Sequence, residues 1–297
     1  MATLKQIRDR KKTVQSTRKI TIAMKMVAGA KLRRAQEQVE AGRPYAKLMQ
    51  RMLEDLAKDA NAFETPQPLL SGTGKSEKYL LIVATSDRGL CGAFNSSIVR
   101  QARREISTLR SDGKDVSIIC IGRKGRDLLK RDYGSLIIET FTEIGQKRIR
   151  FSDAQKICDS IIGRFQDGQF DVCQVVYNQF VTAMTQKVTA QQLIPLKIEN
   201  TSSEAQDTSV LRAVYEYEPN EDVILNQLLP QNLAIQIFNI LLENAASEQG
   251  ARMTAMDNAS RNAADMIKKL ELTYNRMRQA HITKELIEII SGAEALS

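Results

Sequence analysis

The chain contains no tryptophan and a single histidine, His281. That histidine falls in a stretch of helical period but off its apolar seam. A His-based triad or a zinc cluster therefore has essentially nothing to work with. The four cysteines, Cys91, Cys120, Cys158 and Cys173, lie in the central region without CxxC spacing, in segments that read as buried strands or helices. They are expected to be reduced packing residues. No run approaches eighteen apolar residues, so no membrane-spanning helix is expected, and the N-terminus lacks the apolar run of a signal peptide. Aromatics make up only 5% of the chain, whereas Lys, Arg, Glu, Gln and Ala are plentiful, as in proteins with much exposed helix.

What the chain does have is a long repeat. From Phe238 an apolar seam advances in alternating steps of four and three through Leu242, Ala245, Gln249, Arg252, Met256, Ala259, Ala263, Met266, Leu270, Thr273, Met277, Ala280, Lys284 and Ile287. The N-terminal end keeps the same alternation from Leu4 and Ile7 through Lys11, Val14, Arg18, Thr21, Lys25, Ala28, Leu32, Ala35, Val39, Gly42, Ala46 and Met49 to Phe63. A sustained 3.5-residue repeat keeps one helix face against a partner helix. The two ends are thus expected to form an antiparallel coiled coil, each helix roughly 85 to 100 Å long. Lys11, Arg18 and Lys25 stand where Leu would pack, and Thr21, Ala28, Ala35 and Gly42 bury little, so each forgoes much of the roughly 1.5 to 3 kcal/mol of a buried Leu. Two readings follow: a marginal coiled coil with solvated charges, or a shaft surrounded by other proteins.

Residues 1 to 34 carry eleven Lys or Arg against the single acid Asp9, about +10 of a net +8, which leaves the rest of the chain about −2. Such a helix suits nucleic acid, anionic lipid or an acidic protein surface, and charge alone does not choose among them. Because the heptad phase starts at Leu4 and runs on, the basic start reads as part of the shaft and not as a transit peptide.

The fold class is α/β: terminal helices in a coiled coil around a central Rossmann-like domain. The division expected is a helix over 1–65, starting at the N-cap Thr3, and a linker over 66–77. An α/β domain over 78–198, a polar loop and foot over 199–218, and a helix over 219–297 complete it. Gly42 and Pro44 are expected to bend the first helix, and Pro230 to kink or start the last one at Leu229. In the centre, strands at 79–85, 116–121 and 136–140 alternate with helices at 95–109, 125–133 and 152–165, the last capped by Ser152. Strands at 171–181 and 187–195 pair antiparallel through a turn near Ala183. This alternation argues for a parallel or mixed sheet covered on both faces. The turn Thr85 to Asn95 sits where doubly wound folds hold phosphates, but it fits neither GxGxxG nor GxxxxGK[ST], and reads as a structural turn without a cofactor. The acids Glu204 and Asp207 belong to the polar loop and read as solvated.

Four segments carry a resemblance: Lys19-Ile20-Thr21-Ile22-Ala23-Met24-Lys25-Met26-Val27-Ala28, the turn Thr85 to Asn95, Ala246-Ser247-Glu248-Gln249-Gly250-Ala251-Arg252-Met253, and Tyr274-Asn275-Arg276-Met277-Arg278-Gln279-Ala280-His281-Ile282-Thr283. They closely resemble the gamma subunit of F-type ATP synthases, in order and over nearly the whole chain. The resemblance implies a central rotor stalk that transmits torque from a proton-driven membrane ring of c subunits to a catalytic ring of alpha and beta subunits. It implies an epsilon subunit as partner, no catalytic site or cofactor of the chain's own, and a place on the cytoplasmic face of the bacterial inner membrane without insertion. By position, Met24, Lys25, Arg252, Arg278, Gln279, Thr283 and Ile287 are the residues expected to meet alpha and beta, and Tyr215, Tyr217 and Glu218 the rotor ring. The cysteine-bearing regulatory insert of chloroplast members is missing. Two rivals stay open: a nucleic-acid-binding coiled coil using residues 5–34, and a dinucleotide-dependent enzyme using residues 79–140.

Overall fold

The computed structural model describes residues 3–58, 68–145, 148–196 and 221–294. A 55-residue helix α1 (Leu4–Lys58) comes first, then the single turn α2 (Pro68–Ser71). The centre alternates β1 (Lys78–Ala84), α3 (Phe94–Ser111), β2 (Asp115–Ile121), α4 (Arg123–Tyr133), β3 (Ile137–Phe141), α5 (Phe151–Gln166), β4 (Val172–Phe180) and β5 (Gln186–Ile194). The 74-residue α6 (Glu221–Glu294) closes the chain. The loop and foot expected over 199–218, with the acids Glu204 and Asp207, and the helix start expected at 219 lie outside the described residues.

The chain divides into two compact units. One joins the start of α1, through Ala30, to the end of α6, from Arg252; the other holds Lys31–Ala251. The second unit contains a five-stranded sheet of order β3-β2-β1-β4-β5. All neighbours are parallel except β5, which runs antiparallel to β4 through the turn after Phe180. The mixed α/β class expected from the alternation is what the chain adopts.

Successive strand residues point to opposite faces. Leu80, Ile82, Ala84, Ile119, Ile121, Cys173, Val175 and Tyr177 pack under α5 and the first half of α6. Leu81, Val83, Ile118, Cys120 and Val176 pack under α3 and α4. With both faces covered, the strands read as unbroken apolar runs, which is why they were legible without alternation.

The structure adds local detail to three of these expectations. Within the segment read as a linker, Pro68–Ser71 form a helical turn, in which the Leu69 carbonyl accepts the Leu196 N–H at 2.9 Å. The N-cap of α5 is Arg150, not Ser152: Asp153 reaches back to the Arg150 N–H at 3.1 Å, the reciprocal half of a capping box. Of the two readings at Pro230, a helix start there falls away, since α6 begins at Glu221 and runs through that proline, as α1 runs through Pro44. An interior proline costs about 3 kcal/mol. Around Pro230, Leu229, Leu233 and Ile237 are all buried, and each contributes about 1.5 to 3 kcal/mol, so packing overrides the local penalty.

Candidate functional site

The first unit is a pair of helices. α1 starts at the expected cap: Thr3 Oγ1 accepts the Gln6 N–H at 3.3 Å, and the Gln6 side chain accepts the Thr3 N–H at 2.8 Å. Along its seam Ile7, Thr21 and Ala28 are buried, while Lys11, Val14 and Lys25 are half-buried. Arg18, which the repeat places in the seam, is exposed instead. On α6 the seam runs Met256, Ala263, Ile267, Leu270, Tyr274, Met277, and the expected Met266 and Thr273 point to solvent. After Ala263 the order of steps is four then three. Because 266 and 267 are both apolar, the repeat alone left the phase undetermined there.

Two ion pairs fix how the helices face each other. Lys11 Nζ lies 2.9 Å from the Glu271 carboxylate, and Lys25 Nζ meets Asp257 Oδ1. The step from Lys11 to Lys25 equals the step back from Glu271 to Asp257, so the helices are antiparallel in one constant register. Gly29 and Met253 keep it: a Cβ at Gly29 would lie 3.6 Å from the Met253 Sδ. Asp257 also receives Arg261 Nη2 at 2.7 Å. The hydrogen bond from Lys25, joined by the charges of Arg261 and Lys25, holds the Asp257 carboxyl below the ordinary carboxylate range.

Continued, this register sets Thr3 opposite Gln279, and residues 280–294 run on past it for about 22 Å. Ile282, Leu286, Ile287, Ile289 and Ile290 on that extension are all exposed, at 49 to 68%. Ile20, Met26 and Val27 are exposed on α1 in the same way.

The expected contact residues fall at two levels. Met24 and Lys25 lie near the Asp257 cluster, with Arg252 half-buried and engaged a turn beyond it. Arg278, Gln279, Thr283 and Ile287 lie exposed where the pairing ends, with Thr283 Oγ1 donating to the Gln279 carbonyl at 3.0 Å. From Arg252 to Gln279 is about 40 Å along α6. Tyr215, Tyr217 and Glu218 lie outside the described residues. His281 is exposed, its Nδ1 3.1 Å from the Glu285 carboxylate. Sequence reasoning missed Asp257, Arg261 and Glu271; their signal was opposite charge at matching steps in two helices of opposite direction.

Polar groups of the turn after β1 bond within the turn and to the segments beside it. Asn95 Oδ1 accepts the Ser86 N–H at 3.0 Å, and Asn95 Nδ2 donates to the Cys91 Sγ at 3.2 Å. The Asp87 carboxylate accepts the N–H of Arg123 at 2.9 Å and of Glu143 at 2.8 Å, tying two loops together. Thr85 Oγ1 accepts the Gly125 N–H at 2.8 Å. These groups act as a structural turn. All four cysteines are buried and outside any disulfide, and burial pushes the thiols of Cys120 and Cys158 up to about 12, far from the thiolate that reactive chemistry requires. Among the described residues no cluster of His, Cys, Asp or Glu could hold a metal ion, and no helix is long and apolar enough to cross a membrane.

Comparison with known proteins agrees with this architecture. The family model described as ATP synthase matches residues 3–296. The ATP synthase gamma chain of Rhodospirillum rubrum is 54% identical over 299 residues, and that of Parvibaculum lavamentivorans 55% identical over 296, with 100% of both chains covered in each case. Among solved structures, the chain resembles one in the central stalk and c-ring of the Tetrahymena thermophila mitochondrial ATP synthase. The TM-score is 0.60 at 29% identity, covering 81% of this chain and 99% of that one. A rotor chain of the Euglena gracilis mitochondrial enzyme shares the fold at a TM-score of 0.64 and 18% identity, over 94% of this chain and 98% of that one. A central α/β sheet between two long terminal helices, matched end to end by these relatives, places this chain in the family of ATP synthase gamma chains.

Proposed function

We propose that the paired helices turn inside a ring of alternating alpha and beta subunits and pass torque from a proton-driven ring of c subunits to catalytic sites on beta. As a gamma chain, the protein is a central-stalk subunit of an ATP synthase. In this reading it has no catalytic site of its own. Met24, Lys25 and Arg252 form a lower contact level with alpha and beta, Lys25 acting through its pair with Asp257. Arg278, Gln279, Thr283 and Ile287 form an upper level. Tyr215, Tyr217 and Glu218 meet the c ring, an epsilon subunit binds the α/β unit, and the assembly works on the cytoplasmic face of the bacterial inner membrane. The division into a helix over 1–65, linker 66–77, domain 78–198, foot 199–218 and helix 219–297 belongs to the same reading.

One observation carries it: the apolar end of α6 runs about 22 Å past its partner helix with its isoleucines in water. A helix that is apolar on more than one face calls for surrounding protein. The basic start of α1 then faces acidic protein surface instead of nucleic acid. The test is direct observation of rotation. The complex is fixed to a surface through its beta subunits, a bead is attached to the α/β unit of this chain, and ATP is added. Stepwise rotation in one direction is expected, and an ATP-hydrolysing complex whose bead stays still would overturn the assignment.

A further inference from the structure

The α/β unit must hold α6 against twist if torque is to pass from one to the other, and most of their contact is poorly suited to it. Leu233, Ile237, Ile240 and Leu241 lie on the sheet through apolar surface, which is non-directional and does not by itself define a helix's rotation about its own axis. At Asn178 the contact changes character. β1 pairs with β4 only as far as Val176, yet β4 continues to Phe180, so one edge of its last residues has no strand beside it among the described residues. α6 takes that edge with side chains. Asn244 Oδ1 accepts the Asn178 N–H at 3.2 Å, and Ser247 Oγ donates to the Asn178 carbonyl at 2.9 Å. Asn178, Asn244 and Ser247 are exposed by only 2, 5 and 0%. One turn on, Gly250 passes so close to the next loop that a Cβ there would lie 3.0 Å from the Ala183 carbonyl oxygen.

We propose that Asn244 and Ser247 are the torque clamp of this chain, positioning residues that lock α6 to the open edge of β4. The proposal rests on the rotor reading above. Both backbone groups of a single residue are captured by side chains three positions apart, so rotating α6 by one residue, about 100°, removes both bonds together. Asn178 carries its own Oδ1 buried without a partner among the described residues. The buried N–H and C=O of Asn178 need partners in any case; drawing both from side chains of one helix ties that helix to a single rotational setting. Motif residues Ser247 and Gly250 thereby serve the inside of the molecule, while Arg252 opens the paired-helix unit.

The test compares proton pumping driven by ATP with ATP hydrolysis in membrane vesicles carrying the assembled complex. Ser247→Ala removes the donor with little change of volume, and Asn244→Leu removes the acceptor at nearly constant volume. Losing one bond lowers the preference for the locked setting by about threefold to tenfold, so each is expected to lower the protons pumped per ATP hydrolysed while hydrolysis stays near the parental rate. Ser247→Thr, which keeps the hydroxyl, is expected to restore pumping; a merely structural role would move assembly and melting without changing this ratio. If Asn244→Leu fails to assemble, Ser247→Ala alone decides. Unchanged pumping per ATP in Ser247→Ala would overturn the clamp, whereas absent pumping in the parental complex would overturn the rotor reading itself.

Discussion

Lys25 and Asp257, 232 residues apart in sequence, meet across the two helices of the shaft, with Arg261 on the other oxygen of the same carboxylate. The seam beside them is made of Thr21 and Ala28. Small residues allow close approach but discriminate little between neighbouring registers, so this pair and Lys11 with Glu271 carry the register information.

The first prediction concerns the protonation of Asp257. Its folded value is lowered, so pairing contributes stability above the ordinary carboxylate value of about 3.9 and loses it as pH falls through the lower folded value. A carboxyl-carbon NMR titration of the folded chain should give a midpoint below about 3.9, and Lys25→Gln should move it upward. A midpoint unmoved by Lys25→Gln would show that the pair does not persist in solution.

At the turn after β2, Gly122 has φ 92°, and a Cβ there would press into the carbonyl of Thr85. Gly122→Ala should cost about 1 to 3 kcal/mol in backbone strain and a similar amount in overlap. Urea unfolding of the full chain reads the loss directly. A variant as stable as the parent would mean that the turn relaxes freely.

Cys91 is expected to be replaceable. Its Sγ accepts a weak bond from Asn95 within a turn held mainly by oxygen and nitrogen partners. Cys91→Ala should therefore cost about 1 to 2 kcal/mol and leave ATP-driven rotation in place. Loss of rotation in a folded, assembled complex would reveal chemistry at that thiol.

The end of α6 should be covered in the complex. Photo-crosslinkers placed at Ile282, Leu286 and Ile290 are expected to label alpha or beta, with amide exchange there slower than in the free chain by about tenfold or more, as burial removes the fraying of an unpartnered helix end. Fast exchange together with no crosslinks would remove the bearing role.

The sequence by itself determined the elements that depend on neighbours along the chain. The 3.5-residue repeat, the cap at Thr3, the strand runs at Leu80 and Ile118 and the turn pairing β4 with β5 are all set by residues a few positions apart. So is the motif match that identified the family. Only the tertiary structure decided the phase of α6 after Ala263, where Met266 and Ile267 satisfy the repeat equally and only the facing helix chooses. It alone carried α6 through Pro230, because packing around Leu229 and Leu233 outweighs a local rule. It also turned Lys25 from a free cation into the partner of Asp257, and Ser247 from a motif letter into a ligand of the Asn178 backbone. The reason is common to all of these: periodicity is written in local spacing, whereas hydrogen-bond and charge partners are chosen by distances that exist only once remote segments have been brought together.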